Sequence, residues 1–301
     1  MISPVHGGDV QPRPNVTDTV ATNYSYTLRN AILHGIERLP NTSTARRDAE
    51  LLLIRVAVCN RAALLAYPDR VISADQWQTY QALLSRRAAA EPMQYILGEQ
   101  EFYGLLFEVN RDVLIPRPET EHLVEVLLAR VPHNGAMRIA DVCTGSGAIA
   151  VALAHSLPQA RIVALDNSPA ALAVGRRNAE RHKVHDRIKF LHSDLLQALE
   201  GRLQFDAVVS NPPYISDAEQ LESQVQDYEP SAALFAGPTG LEIYQRLIPQ
   251  AARLVTPGGL LLLEIGAGQR EAIAELLSSW SEVSFQNDLQ GIPRVAIARR
   301  S

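Results

Sequence analysis

The stretch from Arg138 to Asp166, RIADVCTGSGAIAVALAHSLPQARIVALD, decides the fold. Arg138–Val142 is a short apolar run of strand length, and Cys143-Thr144-Gly145-Ser146-Gly147 is a tight turn. Ala148–Ser156 is apolar over a helical length, and Arg161–Leu165 is again a strand. Parallel strands need a crossover of this kind, because a tight hairpin can only return the chain antiparallel. The alternation continues outward. Strands are predicted at Arg187–Leu191, Phe205–Ser210, Gly259–Glu264, Val283–Gln286 and Val295–Arg299, with a helix over Pro169–His182. Strands apolar on both faces must be covered on both sides by helices, so the expectation is an α/β fold with a doubly wound sheet of seven strands.

Upstream the period changes. Residues 1–22 are rich in Pro, Gly, Thr and Asn without apolar periodicity and read as a mobile tail. Residues 23–92 read as a small helical bundle of three or four helices: Leu28, Ile32, Leu33 and Ile36 recur at helical spacing, and Ser73-Ala74-Asp75-Gln76 matches a capping box. Residues 93–118 read as a β-hairpin linker, with Tyr95, Leu97, Phe102, Leu105, Phe107, Val109, Val113 and Ile115 in short strands broken by Gly98, Gly104 and Asn110. Ile115-Pro116-Arg117-Pro118 ends the linker, and Glu119 opens a helix and the α/β domain, residues 119–301.

Composition excludes several classes. The 301 residues are 47% hydrophobic and 20% charged, the balance of a globular protein and not of a disordered or fibrous one. No apolar run approaches the ~18 residues of a membrane span. The N-terminus lacks the basic and apolar regions of a secretory signal. Two cysteines, Cys59 and Cys143, give no disulfide framework, so a reducing cytoplasm is the expected compartment. Residues 1–118 hold 12 Arg, no Lys and 12 acids, while residues 119–301 hold 16 bases against 21 acids, so the whole net charge of −5 lies in the α/β domain. A domain that grips nucleic acid gains affinity from a basic excess, which is missing here.

Four motifs carry chemistry. The first is the turn Asp141 to Gly147. A dinucleotide loop wants a Gly where Cys143 stands, and a phosphate-binding loop wants a Gly-Lys-Ser/Thr ending, which is absent. Asp141 adds a carboxylate that is unhelpful near a pyrophosphate but suits an ammonium group, such as the methionine end of S-adenosylmethionine. The second is Asp166, at the end of the next strand, where an acid can accept from both hydroxyls of a ribose. The third is Ser193-Asp194-Leu195: Asp194 can accept from the adenine amine while Leu195 packs on the ring, and a helix N-cap explains the same letters. The fourth is Asn211-Pro212-Pro213-Tyr214 after the fourth strand. Two prolines stiffen the main chain. An Asn oxygen beside a rigid Pro carbonyl offers two acceptors at fixed spacing, one for each N–H of a planar NH2, with Tyr214 to lie against the flat group.

In this order the motifs resemble class I S-adenosylmethionine-dependent methyltransferases that act on planar nitrogens. Further stretches are similar to the peptide chain release factor glutamine methyltransferases (HemK/PrmC): Arg46 to Leu53, Glu91 to Gly98, Glu101 to Gly104, Leu114 to Glu121, and Glu229-Pro230. The resemblance covers residues 24–301. It implies a helical substrate-recognition domain, a hairpin linker and a methyltransferase domain. It also implies methyl transfer to the side-chain amide nitrogen (N5) of the Gln in the Gly-Gly-Gln motif of release factors. On that resemblance the cofactor contacts are Asp141, Cys143, Thr144, Gly145, Ser146, Gly147, Asp166, Asp194, Leu195 and Asn211. The glutamine is held by Asn211, Pro212, Pro213 and Tyr214, which carry the catalysis.

Two residues depart from the family pattern: Cys143 stands for a Gly and Leu195 for an aromatic. A sister group that modifies a ribosomal protein Gln often has Cys in that loop but usually lacks the Pro-Glu-Thr-Glu segment present here. A DNA adenine-N6 methyltransferase also uses the Asn-Pro-Pro-Tyr motif, but would need a Lys/Arg-rich recognition region, and this chain has two Lys. A non-catalytic adaptor would have no need of the intact Asn211 motif. No metal is expected, and His182, His185 and His192 read as solvated loop residues. No His stands near Cys143 to activate its thiol. The resemblance implies a release factor as the protein partner, with no stable nucleic acid and no membrane, and the chain is read as a monomer.

Overall fold

The computed structural model describes residues 26–40, 42–199, 201 and 204–301. The tail expected over residues 1–22 lies outside them, as do residues 23–25. The chain opens with four helices, α1 (Leu28–Arg38), α2 (Ala45–Ala57), α3 (Arg61–Ala66) and α4 (Ala74–Ala88). They close on a core of Leu28, Ala31, Leu52, Leu53, Tyr80 and Leu84. The Tyr80 hydroxyl donates toward the carbonyls of Ala31 and Ala49 at 3.2 Å each. A Cβ on Gly35 would stand 2.3 Å from that hydroxyl, so α1 and α4 can approach this closely only with glycine there. The capping box forms as the sequence predicts, with Ser73 and Gln76 bonded to each other's backbone N–H.

The linker differs from its expected all-strand form. Met93–Leu97 is a short helix, α5, started after Pro92 and ended by Gly98 at φ +78°. Five residues fit both periods, and the flanking Pro and Gly favour the helical turn. The hairpin that follows is β1 (Glu99–Phe102) and β2 (Leu105–Glu108). Val109, Val113 and Ile115 lie in no strand; a turn at Arg111 and Asp112 separates Val109 from the other two, and all three are buried with Tyr95, Ala171 and Val174. A 3-10 turn, Pro118–Thr120, precedes α6 (Glu121–Leu128), so the helix expected at Glu119 begins two residues later.

The rest alternates: β3 (Arg138–Val142), α7 (Ala148–Ser156), β4 (Arg161–Asp166), α8 (Pro169–Arg181), β5 (Ile188–His192) and β6 (Phe205–Ser210). A short parallel pair, β7 (Ile215–Ser216) and β8 (Phe235–Gly237), brackets a turn of helix, α9 (Ser223–Gln226). Then come α10 (Glu242–Leu254), β9 (Val255–Glu264), α11 (Arg270–Leu276), β10 (Ser281–Asn287) and β11 (Pro293–Arg299). The seven-stranded sheet has the order β10-β11-β9-β6-β3-β4-β5. Its first five strands in sequence are parallel; β11 runs antiparallel between β9 and β10. Successive residues face opposite cores. Ile139, Ile162, Ala207 and Val209 pack with α6 and α7, while Ala140, Val142, Val208 and Leu263 pack with α10 and α11.

The chain runs from β3 to one side through β4 and β5, then returns to the other side with β6. Ligands of open α/β sheets bind at this reversal, outside the carboxyl ends of the strands. The register pairs Val142 with both Leu165 and Ser210. Cys143, Asp166 and Asn211 therefore emerge side by side.

Candidate active site

The turn after β3 is held by Asp141. Its carboxylate is fully buried; one oxygen accepts from the Thr144 hydroxyl at 2.6 Å and from the Ala150 N–H at 3.1 Å, and the other has no partner. Burial pushes its pKa up to about 7. Asp141 thus lies beneath the loop, outside the residues that line the cleft. Thr144, Ser146 and Gly147 are buried with it, and a Cβ on Gly147 would stand 3.2 Å from the Gly175 backbone of α8. Cys143 and Gly145 face the cleft, at φ +60° and +53°. A Cβ on Gly145 would meet nothing within 4 Å, so that backbone borders open space. Burial pushes the Cys143 thiol well up, which keeps it neutral and unsuited to nucleophilic attack.

Asp166 ends β4 with one oxygen accepting from Gly145 N–H and the other from Ser168 N–H, at 2.9 Å each. A carboxylate oxygen has two lone pairs, so each keeps one for a further donor. Burial raises its pKa against those backbone bonds. Asp194 is half exposed and ion-pairs with Arg246 of α10, while Ser193 caps the next turn by accepting from Ala198 N–H at 3.1 Å. Leu195 is buried at φ +51° and faces the cleft. Leu114, Ala171 and Ile243 add apolar surface to a lining that also carries Asp112, Asn167, Ser168 and Arg246, and the cleft encloses about 900 Å³ with its open mouth.

Asn211 and Pro213 form the opposite wall. The Asn211 Nδ2 donates to Thr120 Oγ1 at 3.0 Å, which leaves Oδ1 as its unclaimed end. Pro212 is buried. The Tyr214 carbonyl accepts from the Gln269 side chain at 3.0 Å, and a Cβ on Gly240 would stand 2.5 Å from that carbonyl. Burial pushes the Tyr214 phenol up to about 12, so it stays neutral. Loop, Asp166, Leu195 and Asn211 thus converge on one cleft, with Tyr214 anchored just behind its wall. Among the described residues no group of three or more His, Cys, Asp or Glu could hold a metal ion, and no helix is long and apolar enough to cross a membrane.

Two family models match. Residues 30–98 match the PrmC N-terminal domain and residues 120–232 the methyltransferase small domain. A release factor glutamine methyltransferase of Koribacter versatilis is 42% identical over 278 residues, 91% of this chain and 99% of the relative. The chain belongs to the release factor glutamine methyltransferase family. The enzyme of that name from Escherichia coli is 39% identical, over 92% of this chain and 98% of its own length. The fold alone is shared with a Thermus thermophilus 16S rRNA N2 G1207 methyltransferase solved with AdoMet and guanosine, 20% identical, covering 67% of this chain and 50% of that one at a TM-score of 0.52. This chain is accordingly a methyltransferase.

Several residues of the family member's site give no local signal. Thr120 reaches Asn211 across 91 positions, and Arg246 reaches Asp194 across 52. Asn178 on α8 accepts from Glu108 N–H at 2.7 Å and donates to the carbonyls of Glu108 and Ser146, which ties the hairpin to the loop. His182 is likewise no solvated loop residue. It caps α8, bonds the Leu106 carbonyl at 2.9 Å and lies 5.2 Å from the Phe107 ring. Glu119 and Glu121 are the carboxylates that stand out in the Pro-Glu-Thr-Glu segment, yet Glu121 accepts from Tyr103 N–H in the hairpin turn. The Thr between them meets Asn211.

Proposed function

We propose that this chain transfers a methyl group from S-adenosylmethionine to the side-chain amide nitrogen of the Gln in the Gly-Gly-Gln motif of peptide chain release factors. One observation carries the reading: Asn211 is tied through its nitrogen, so its oxygen is the end available to a flat NH2 at the cleft. The cleft fits the cofactor. Gly145 borders it without a side chain, Asp166 keeps lone pairs for two hydroxyls, and Leu195 with Ile243 offers apolar surface to a ring. Of the residues the sequence singles out, Cys143, Gly145, Asp166, Asp194, Leu195 and Asn211 would touch it, with Asp141, Thr144, Ser146 and Gly147 shaping the loop.

When bound, the cofactor supplies an electrophilic methyl on a sulfonium sulfur. An amide nitrogen is a weak nucleophile because its lone pair is delocalised into the carbonyl. Asn211 Oδ1 and the Pro212 carbonyl would each accept one N–H, which concentrates density on nitrogen and fixes its direction. Positioning of this kind is worth up to ~7–11 kcal/mol of barrier. Pro213 keeps the corner stiff, and Tyr214 sets the plane of the amide. No strong base is needed, since the methylated amide loses its proton to water.

Residues 23–92 and 93–118 would form the recognition domain and linker for the release factor, and 119–301 the catalytic domain, in a cytoplasmic monomer without stable nucleic acid. Incubation with labelled S-adenosylmethionine and purified release factors, ribosomal proteins and DNA tests this. Label on the release-factor Gly-Gly-Gln glutamine is the expected result. Label on ribosomal protein or DNA, or on none of the three, would reject it.

A further inference from the structure

Glu264 ends β9, immediately after Leu263, the residue that pairs with Ser210 of β6. The register therefore sets Glu264 beside Asn211 at the same sheet edge. Its side chain is 2% exposed and one carboxylate oxygen has no partner. The Thr120 hydroxyl accepts from Asn211 Nδ2 at 3.0 Å, and the Glu264 carboxylate lies near enough that this hydroxyl stabilises its charge, which directs the Thr120 proton toward Glu264. A hydroxyl has one proton. Once it is committed to Glu264, the hydroxyl can only accept on its other side. A flipped Asn211 would then set oxygen against oxygen.

We propose that Glu264 and Thr120 are positioning residues, a relay that holds the Asn211 amide with its oxygen toward the substrate NH2. The inference rests on the glutamine-methylating reading of Asn211. The relay has a direction only while Glu264 is ionised. A protonated Glu264 can donate to Thr120 Oγ1, which frees the Thr120 proton for Asn211 Oδ1 and permits the flip. Burial pushes Glu264 up to about 7, against the Thr120 bond that lowers it. Arg294 of β11 and Arg117 lower it further, Glu119 raises it, and the phenols of Tyr214 and Tyr244 lie close enough to feel its charge. The lock therefore engages as pH rises through about 7 and loosens below it.

Thr120→Val and Thr120→Ser separate this role from simple packing. The expected result for Thr120→Val is a kcat on release factor about 10- to 100-fold lower, with the S-adenosylmethionine Kd within about threefold of wild type; Thr120→Ser restores kcat to within about threefold. Glu264→Gln should abolish the fall in rate below pH 7. A second measurement needs no substrate: carbon NMR titration of the Glu264 carboxyl. Its pKa should rise in Thr120→Val, which loses the stabilising donor, and return in Thr120→Ser. Wild-type kcat in Thr120→Val, or an unmoved Glu264 titration, would overturn the relay. Failure of the wild type to methylate release factor would instead overturn the substrate reading, while the titration still decides the relay.

Discussion

In the proposed reaction, Asn211→Ala would remove one of two acceptors for the substrate nitrogen and little of the cofactor cleft. Turnover should fall about 100-fold or more while S-adenosylmethionine affinity stays within about threefold, as read by methyl-transfer kinetics and calorimetry. Equal losses in both would deny Asn211 its role. Asp141 gives a different test. An unfolded Asp titrates near 4, but buried Asp141 titrates at about 7. The folded chain keeps the extra proton between these values, so its stability falls as pH rises across that window, and the whole penalty is present above it. Asp141→Asn carries no such penalty. In urea unfolding its stability relative to wild type should improve from pH 5 to pH 8; a constant difference would mean the buried carboxyl titrates normally.

At the scale of elements, a buried side chain ties the hairpin β1–β2 to α8. Asn178 serves the Glu108 backbone and the Ser146 carbonyl together, flanked by the more exposed ion pairs Arg177–Glu108 and Arg181–Glu99. Surface pairs contribute little. Asn178→Ala should cost about 2–3 kcal/mol, because it strands the Glu108 N–H and two carbonyls. Hydrogen exchange at Glu108 should quicken together with the loop after β3. Quickening in the hairpin alone would show that Asn178 does not couple the two. The elements themselves were legible to different degrees. β3, α7 and β6 have the predicted bounds, because each is a pure period flanked by turn residues. Met93–Leu97 misled because five residues between Pro and Gly fit either period. β11 was legible as a strand but not in direction, since a short buried apolar run reads the same both ways.

Across the whole molecule, the linker is clasped to the catalytic domain through Glu229. Its carboxylate is buried, accepting from Arg117 at 2.6 Å and from Ile115 N–H at 3.1 Å. The bundle joins the same region where Tyr228 donates to the Ala89 carbonyl at 2.6 Å. Glu229→Ala should destabilise by about 2–3 kcal/mol, less than a fully buried pair because Arg117 keeps partial access to water. Proteolysis across residues 109–117 should accelerate first; unchanged cleavage there would place the clasp elsewhere.

The sequence by itself determined the α/β class, the strands, the capping box, and the loop and diproline motifs that mark the cleft. Those are local quantities: side-chain period, φ restriction and spacing all act within a few residues. Only the tertiary structure decided that Asp141 lies beneath the loop, that Arg246 engages Asp194, and that Thr120 and Glu264 stand behind Asn211. A hydrogen bond between residues 91 positions apart leaves no pattern in either stretch. It exists because the turn Pro118–Thr120 ahead of α6 is brought against the carboxyl end of β6.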